Sequence, residues 1–276
     1  MKLTLPIGRS EWNGLCFDGE ERGPTMAKFK KIIVAGPLVI EAVYPAPSPR
    51  DSQGVRRGKR ALSSQAQRQM NLKYAWQKLE LEIAANFGVR DLWATLTYDD
   101  AHLPRSREEA RACFRAFIKR LRAARRARGQ ELRYLYVTEH RHGGGRWHHH
   151  ALINAAGEDY GLLWRLWGRG NVELRPIRID RDRNYETLAR YMCKEQRDKV
   201  GQRLWSGSKG LRRPEGERFR VPNGTPLSVP KGAALTLADT GDVATAYGHY
   251  RYIKYLAADW EATAAPKAKR RRRRGR

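Results

Sequence analysis

The sequence predicts an α+β fold in which a central antiparallel sheet carries helices packed on one face. Strand patterns of period two and helix patterns of period three to four are interspersed between residues 61 and 200. Two of the strands are separated only by the loop "HRHGGG", which suits a hairpin. Hairpin-linked strands mixed with helices favour an antiparallel α+β domain over a parallel, doubly wound sheet.

The first long helix is predicted to begin at Ser63 or Ser64 and to end before Gly88. Its apolar residues recur at three- and four-residue spacing, and they are Leu72, Trp76, Leu79, Ile83 and Phe87. A strand follows in "DLWATLTYDD", where Leu92, Ala94 and Leu96 alternate with Trp93, Thr95 and Thr97. A second amphipathic helix is predicted over residues 106–128, with arginines crowded on its polar side.

Five further elements complete the regular part. Two strands are predicted in "ELRYLYVTE" and "RWHHHALIN", then a short helix over 160–167, a strand over 171–179 and a helix over 184–195. The segment "HYRYIKYLA" near the end fits a strand or a helix, and the Gly- and Pro-rich stretch 201–249 resists assignment.

Composition divides the chain into four parts. Residues 1–60 are basic and are predicted to be loosely structured, with at most a short strand over 31–40. Residues 61–200 form the predicted α+β domain, and residues 201–262 form an extension expected to pack on or beside it. Residues 263–276 form an Arg-rich tail that we expect to be disordered.

The charge balance points to a polyanionic partner. The chain has 55 Lys and Arg against 29 Asp and Glu, which gives a formal net charge of +26. The last ten residues contribute eight basic side chains, so most of the excess lies elsewhere in the chain. A basic surface built into the folded part favours nucleic acid as the partner.

The cysteines and the hydropathy pattern exclude several classes of protein. Cys16, Cys113 and Cys193 are too far apart in sequence for a CxxC redox pair or a cysteine zinc ribbon. No apolar run approaches the roughly 18 residues that a membrane span requires. We therefore expect a cytoplasmic protein without a membrane partner.

The segment "RWHHHALIN" predicts a metal site. Alternate residues of a strand project to one face, so His148 and His150 point together, with side-chain bases on the order of 7 Å apart, while His149 points away. Glu139, at the end of the preceding strand, could reach the same face. Two imidazoles and one carboxylate leave coordination positions open and suit Mg²⁺ or Mn²⁺. The alternative is a plain surface cluster, because five of the seven histidines lie between His140 and His150.

The segment "ARYMCKE" predicts a nucleophile. Tyr191 and Lys194 are three residues apart on a predicted helix and share a face. A phenol has an ordinary pKa near 10 and attacks poorly at neutral pH unless a metal polarises the target and a cation stabilises the developing charge. Tyr185 lies six residues earlier, roughly 240° around the same helix, and should face elsewhere. By itself the spacing also fits a half-buried aromatic beside a solvated lysine.

Taken together, these motifs resemble those of the HUH endonucleases, and within them the rolling-circle replication initiators (Rep proteins) of plasmids and phages. The resemblance covers about residues 91–214 and depends on "WATLTY", "RWHHHALIN" and "YMCKE" in that order, with "GQRLWSGSKGLRRPE" following. Two positions depart from the family pattern: His149 stands where a hydrophobic residue is usual, and Glu195 stands where many relatives have tyrosine.

The resemblance implies a ferredoxin-like or RRM-like nickase domain that cleaves and rejoins single-stranded DNA through a 5′-phosphotyrosine. It implies metal ligation by His148 and His150 with Glu139 as a third ligand, attack by Tyr191, and phosphate or metal positioning by Lys194. The partners would be single-stranded DNA at a replication origin and a host helicase.

Three other interpretations remain open from the sequence. A related HUH transposase or relaxase shares the motifs, although relaxases place the tyrosine before the histidines. A non-catalytic single-strand-binding module would use aromatic residues to stack bases, with Tyr98, Tyr134, Tyr136 and Trp147 as candidates. A basic protein that condenses DNA through its tail would need none of the site residues.

Overall fold

The computed structural model describes residues 26–47, 64–140, 145–157, 159–179, 185–194, 204–235, 241–245 and 248–258. The helices are α1 (Ser64–Asn86), α2 (Arg107–Ala127), α3 (Asp159–Trp167) and α4 (Glu186–Cys193). The strands are β1 (Met26–Ala35), β2 (Leu38–Pro47), β3 (Leu92–Thr97), β4 (Tyr134–His140), β5 (Trp147–Ile153), β6 (Val172–Pro176), β7 (Ser206–Gly207), β8 (Gly216–Val221), β9 (Ala234–Leu235), β10 (Gly241–Thr245) and β11 (Gly248–Leu256). In these residues no helix is both long and apolar enough to cross a membrane.

The strands form two antiparallel sheets. The central sheet has the order β6-β3-β5-β4-β7, and the second sheet has the order β10-β11-β2-β1-β8 with β9 paired to β11. In the central sheet Glu139 lies opposite His148, and Thr95 lies opposite His150. The α+β class and the antiparallel central sheet predicted from the sequence are therefore confirmed.

Helices cover both faces of the central sheet, whereas the sequence led us to expect them on one. On one face α1 and α4 pack against Leu135, Val137 and Leu152. On the other face α2 and α3 pack against Leu96 and Ala151, among others. Both faces need a cover because successive residues of β3, β4 and β5 put apolar side chains on each side.

The two long helices follow the predicted boundaries closely. In α1 the side chains of Leu79 and Ile83 are fully buried, and Phe87, just after the helix, is also buried. In α2 the Ser106 hydroxyl accepts a hydrogen bond from the backbone N–H of Glu109, which caps the first turn. The strand predicted over 171–179 is shorter, because regular pairing of β6 ends at Pro176.

The second sheet corrects the prediction of a loosely structured segment 1–60 for residues 26–47, and the rest of that segment lies outside the described residues. Within that segment, β1 and β2 form a hairpin of ten residues each, and β1 also pairs with β8 while β2 pairs with β11. Gly36 makes the turn at a φ of 60°, and a Cβ there would lie 2.2 Å from the Ala84 carbonyl oxygen. Only glycine fits this turn against α1. The segment "HYRYIKYLA" is a strand, β11.

A buried ammonium group joins the second sheet to both helices beneath it. Lys254 of β11 donates hydrogen bonds to Glu80 of α1 (2.9 Å) and to Glu186 of α4 (3.1 Å). The three side chains are 6%, 1% and 9% exposed. Glu186 also pairs with Arg190 at 2.5 Å, and the Arg190 guanidinium lies 4.3 Å above the Trp76 ring. α4 is thereby held to α1 and to β11 by charge-assisted hydrogen bonds as well as by apolar packing.

His149 belongs to the core between the central sheet and α2. Its side chain is fully buried, with Nε2 2.8 Å from the Tyr98 hydroxyl and Nδ1 3.0 Å from the Thr138 hydroxyl. Burial, together with the neighbouring His148 and His150, lowers the pKa of His149 to about 3, so its ring is neutral at neutral pH. The prediction that His149 points away from the other two histidines is confirmed.

We predict that Lys254→Met destabilises the fold by about 3–5 kcal/mol, because it removes the buried cation that Glu80 and Glu186 share. The free energy of unfolding measured with denaturant tests this. The triple variant with Glu80→Gln and Glu186→Gln also removes the two buried negative charges and should recover most of the loss. If Lys254→Met is as stable as the parent, the buried network does not hold the sheets together.

We predict that His149→Ala costs on the order of 3 kcal/mol, because it opens a cavity and leaves polar partners unsatisfied. His148→Ala, on the opposite face, removes a partly exposed ring and should cost about 1 kcal/mol. Thermal and denaturant unfolding of the two variants provides the comparison. Equal losses would contradict the alternation of β5.

Candidate metal centre and nucleophile

Three potential metal ligands meet on the face of the central sheet that α1 and α4 cover. Glu139 ends β4, and His148 and His150 alternate on β5, so strand pairing brings all three side chains to one face. One ligand atom from each lies within 4.8 Å of the others. The His148 and His150 Nε2 atoms are 3.4 Å and 3.6 Å from Glu139 Oε2. The predicted triad is therefore assembled by the fold.

Two members of this cluster, Glu139 and His150, have buried polar atoms without the hydrogen bonds that burial normally requires. The Glu139 carboxylate is completely buried. Within the described ranges neither of its oxygens has a hydrogen-bond partner, and neither does His150 Nε2. A buried carboxylate without partners is costly, and a cation removes that cost. The donor set of two imidazole nitrogens and one carboxylate thus fits a divalent metal.

Hydrogen bonds at the far nitrogens orient both histidine rings. His148 Nδ1 lies 3.1 Å from the carbonyl oxygen of Arg146, which can only accept, so Nδ1 carries the proton and Nε2 keeps its lone pair. His150 Nδ1 lies 3.2 Å from the Thr95 hydroxyl, and donation to that oxygen leaves the lone pair of Nε2 facing Glu139. Such outer partners fix the tautomer of metal-binding histidines.

The protonation states also suit a cation site. Burial, with the nearby charges of His148 and Lys194, lowers the pKa of His150 to about 3. The ring is neutral at physiological pH and does not have to lose a proton to bind a metal. Cys193 lies close by, and burial, with the Glu139 charge, raises the pKa of its thiol to about 12, so the thiol is neutral at neutral pH.

Tyr191 stands at the edge of this cluster with its side chain 42% exposed. Its ring centroid is 5.1 Å from that of His150 and 5.5 Å from that of Trp93, edge-on in both cases. Trp93 in turn stacks on His150 at 5.0 Å. Lys194 Nζ lies 3.6 Å from the centre of the Tyr191 ring. The fold thus brings all five predicted site residues together.

Tyr185 is placed very differently. It precedes α4, is 1% exposed, and its hydroxyl has no hydrogen-bond partner within the described ranges. Burial, and to a lesser extent Asp91, raises the pKa of this phenol. A phenol that is buried and hard to ionise cannot receive a polymer substrate. Of these two tyrosines, only Tyr191 is accessible.

An open groove of about 1000 Å³ leads to the exposed side of the cluster. Trp93, Thr95 and His150 form its floor, residues 173–179 form one wall, and Thr187, Leu188 and Tyr191 of α4 form the other. Arg175 and Arg178 are exposed on the first wall. The groove can admit an extended chain with phosphates near the arginines and one phosphate near Tyr191.

Two contributors to the site were missed by the sequence reasoning, Thr95 and Trp93. Both lie on β3, on the face opposite buried Ala94 and Leu96. The period-two pattern of "WATLTY" indicated that Trp93 and Thr95 share a face of their strand, but it did not indicate that this strand pairs with β5. The carbonyl of Arg146 gave no signal, since a backbone contact does not depend on residue type.

The base-stacking alternative loses two of its four aromatic residues. Tyr98 and Tyr136 are 4% and 7% exposed and belong to the core beneath α2. They are too deeply buried to stack on nucleobases. Trp147 and Tyr134 keep partial exposure.

Comparison with known proteins gives one result. The sequence model of a family of replication-associated proteins, the ORF2 type, matches residues 91–196. The matched segment runs from the start of β3 past the end of α4 and contains all five site residues. Neither the curated protein sequences nor the solved structures contain a significant match.

The match confirms the resemblance that the motifs indicated. The segment that builds the candidate site is similar to replication-associated proteins of this family, which is consistent with a rolling-circle replication initiator.

Proposed function

We propose that this protein initiates rolling-circle replication by nicking single-stranded DNA at an origin and rejoining it later, with Tyr191 as the nucleophile. The observation that carries the proposal is the ring contact between accessible Tyr191 and His150, whose Nε2, together with the buried Glu139 carboxylate, has no hydrogen-bond partner within the described ranges. The similarity of this segment to replication-associated proteins supports the biological role. We assign the activity to the domain of residues 61–200.

Glu139, His148 and His150 would hold the metal, Mg²⁺ or Mn²⁺. When bound, a divalent ion supplies Lewis-acid polarisation of a phosphate oxygen. The chain contributes the rest of the arrangement: Thr95 and the Arg146 carbonyl keep the imidazole lone pairs aimed at the ligand cluster. α4 keeps the phenol beside His150.

Tyr191 would attack the phosphorus of the scissile phosphodiester. Its phenolic oxygen forms a bond to phosphorus as the bond from phosphorus to the 3′ oxygen breaks. The phenol proton is released to solvent and the departing 3′ oxygen takes up a proton. Lys194, 3.6 Å from the ring centre, stabilises the negative charge that develops on the phenol and phosphate oxygens.

The products are a 5′-phosphotyrosine and a free 3′-OH. The covalent link conserves the phosphodiester, so the 3′-OH can prime synthesis and a later 3′-OH can reverse the attachment without ATP. Exposed Arg175 and Arg178 line the groove and suit the phosphates that flank the nick. A host helicase would be a further partner, since nicking exposes only a short single strand.

The first test is metal binding, which requires no DNA. Mn²⁺ should bind the parent protein and, at one hundred times its Kd, raise the free energy of unfolding by about 2.7 kcal/mol. His150→Ala should lose the effect. Thr95→Val, which only removes the outer partner of His150, should weaken Mn²⁺ binding by about 10–100-fold. Calorimetric titration and thermal unfolding measure both.

The matched control for metal binding is His249→Ala, which removes an exposed histidine of β11. Its Mn²⁺ affinity should equal that of the parent. Absence of any Mn²⁺ effect in the parent would rule out the metal site, and equal losses in both His→Ala variants would point to nonspecific binding.

The second test identifies the nucleophile. Single-stranded oligonucleotides of randomised sequence, labelled at the 3′ end, should transfer their label to the parent protein in the presence of Mn²⁺, because the 3′ fragment stays attached. Tyr191→Phe removes only the hydroxyl and should abolish the covalent product. Peptide mass spectrometry locates the adduct.

Tyr185→Phe is the matched control for this test. It removes a buried hydroxyl that has no hydrogen-bond partner within the described ranges, so stability and adduct formation should both be kept. DNA found on Tyr185, or label persisting in Tyr191→Phe, would overturn the assignment of Tyr191.

A further inference from the structure

The exposed side of α2 carries a line of cations, Arg115, Lys119, Arg122 and Arg126, which we call the α2 stripe. Their spacing of four, three and four residues keeps them within roughly 60° of one another around the helix axis. All four are exposed. At 1.5 Å per residue the stripe is about 16 Å long.

Local pairing does not explain the stripe. From Ala110 to Arg128 the sequence contains no acidic residue, and in the part of the chain that the structure describes none of the four cations pairs with a carboxylate. Like charges four residues apart disfavour a helix. A solvated helix face usually mixes both signs, so this arrangement is unfavourable for the free protein and indicates an external anion.

Two other cations of α2, Arg120 and Arg125, have structural roles, which sets the stripe apart from them. Arg120 donates to the Leu166 carbonyl oxygen at the end of α3 (2.8 Å). Arg125 is fully buried and donates to the backbone and side-chain oxygens of Asn154. Both hold neighbouring elements, whereas the stripe faces outwards.

The stripe lies on the opposite side of the central sheet from the candidate site. α2 buries Phe114, Phe117 and Leu121 against the face that carries His149, while His148 and His150 project from the other face. The stretch of DNA that occupies the groove at Tyr191 cannot also contact the stripe. The stripe must bind a different stretch of nucleic acid.

We propose that the α2 stripe binds the sugar-phosphate backbone of duplex DNA flanking the single-stranded nick site. Duplex DNA carries one charge per about 1.7 Å of axis, which matches a straight, purely cationic surface. The stripe holds no aromatic side chain for stacking, and exposed Ala112, Ala123 and Ala127 beside it allow close approach. The inference rests on the proposed function only in taking DNA with a nick site as the ligand.

The test compares binding to two probes, a single strand alone and the same strand joined to a hairpin stem of about 20 bp, two helical turns. Arg115, Lys119, Arg122 and Arg126 are all changed to glutamine, which preserves helix propensity. On the hairpin probe, the slope of log Kobs against log[salt] should fall in magnitude by about 3 to 4 units, roughly 0.9 per lost phosphate contact. On the single strand it should change by less than about 1 unit.

The matched control changes Lys209, Arg213, Arg220 and Lys231 to glutamine, which removes the same charge from exposed positions outside α2. It should leave the hairpin slope within about 1 unit of the parent. An equal fall in the control would show an effect of net charge and overturn the proposal. So would an equal fall on the single strand, which would instead favour strands stacked on exposed Tyr160 and Trp164 of α3.

Two further measurements keep the result interpretable. If the fourfold variant does not fold, two double variants replace it, Arg115→Gln/Lys119→Gln and Arg122→Gln/Arg126→Gln. On the hairpin probe, each should show about half of the decrease in salt slope expected for the fourfold variant. Label transfer to Tyr191 at saturating single-stranded DNA should match the parent. If the parent protein binds the hairpin probe but never nicks DNA, the proposed function is refuted, whereas the proposal that the stripe binds duplex DNA is still supported.

Discussion

The position of α4 is the constraint on which the candidate site depends. This helix has only eight residues, and its first turn has no side-chain cap. A helix so short is not stable by itself. Lys254, reaching from β11 to Glu186 of α4 and Glu80 of α1, supplies a fixed point, and the buried side of α4 supplies apolar packing. The second sheet therefore contributes to the site at Tyr191 without contacting it.

The alternation of β5 explains how one strand serves both the core and the site. His149 and Ala151 point to the α2 side, where the histidine satisfies two hydroxyls. His148 and His150 point to the α4 side, next to Leu152, which α1 and α4 cover. Polar side chains follow apolar ones along the same face, and the groove reaches this part of the face at His150 and Tyr191.

Local sequence patterns predicted the central sheet and its helices. They missed the features that depend on pairing between strands far apart in the sequence. The strand that carries His148 and His150, the position of Glu139 beside them and the separation of Tyr191 from Tyr185 all follow from spacing within one element or one hairpin. The second sheet does not: Lys31 pairs with Arg218, far along the chain, and β8 is largely exposed and highly charged. Nothing in the pattern of "GERFRV" identifies its partner. Likewise, helices on both faces become evident only when α1 is placed between the two sheets.

The fold also separates two electrostatic requirements that conflict. Tight binding of DNA needs many cations, whereas a metal cluster with a single carboxylate loses affinity for a divalent ion when other cations are close. Among the described residues, Lys194 is the lysine that contributes to the lowered pKa of His150. The α2 stripe stands behind the central sheet and the layer of side chains that packs against it, about 10 Å thick. The separation weakens the repulsion, since the Coulomb energy falls as the distance between charges grows. The proposed DNA-binding stripe and the proposed metal site can in this way coexist in a strongly basic chain.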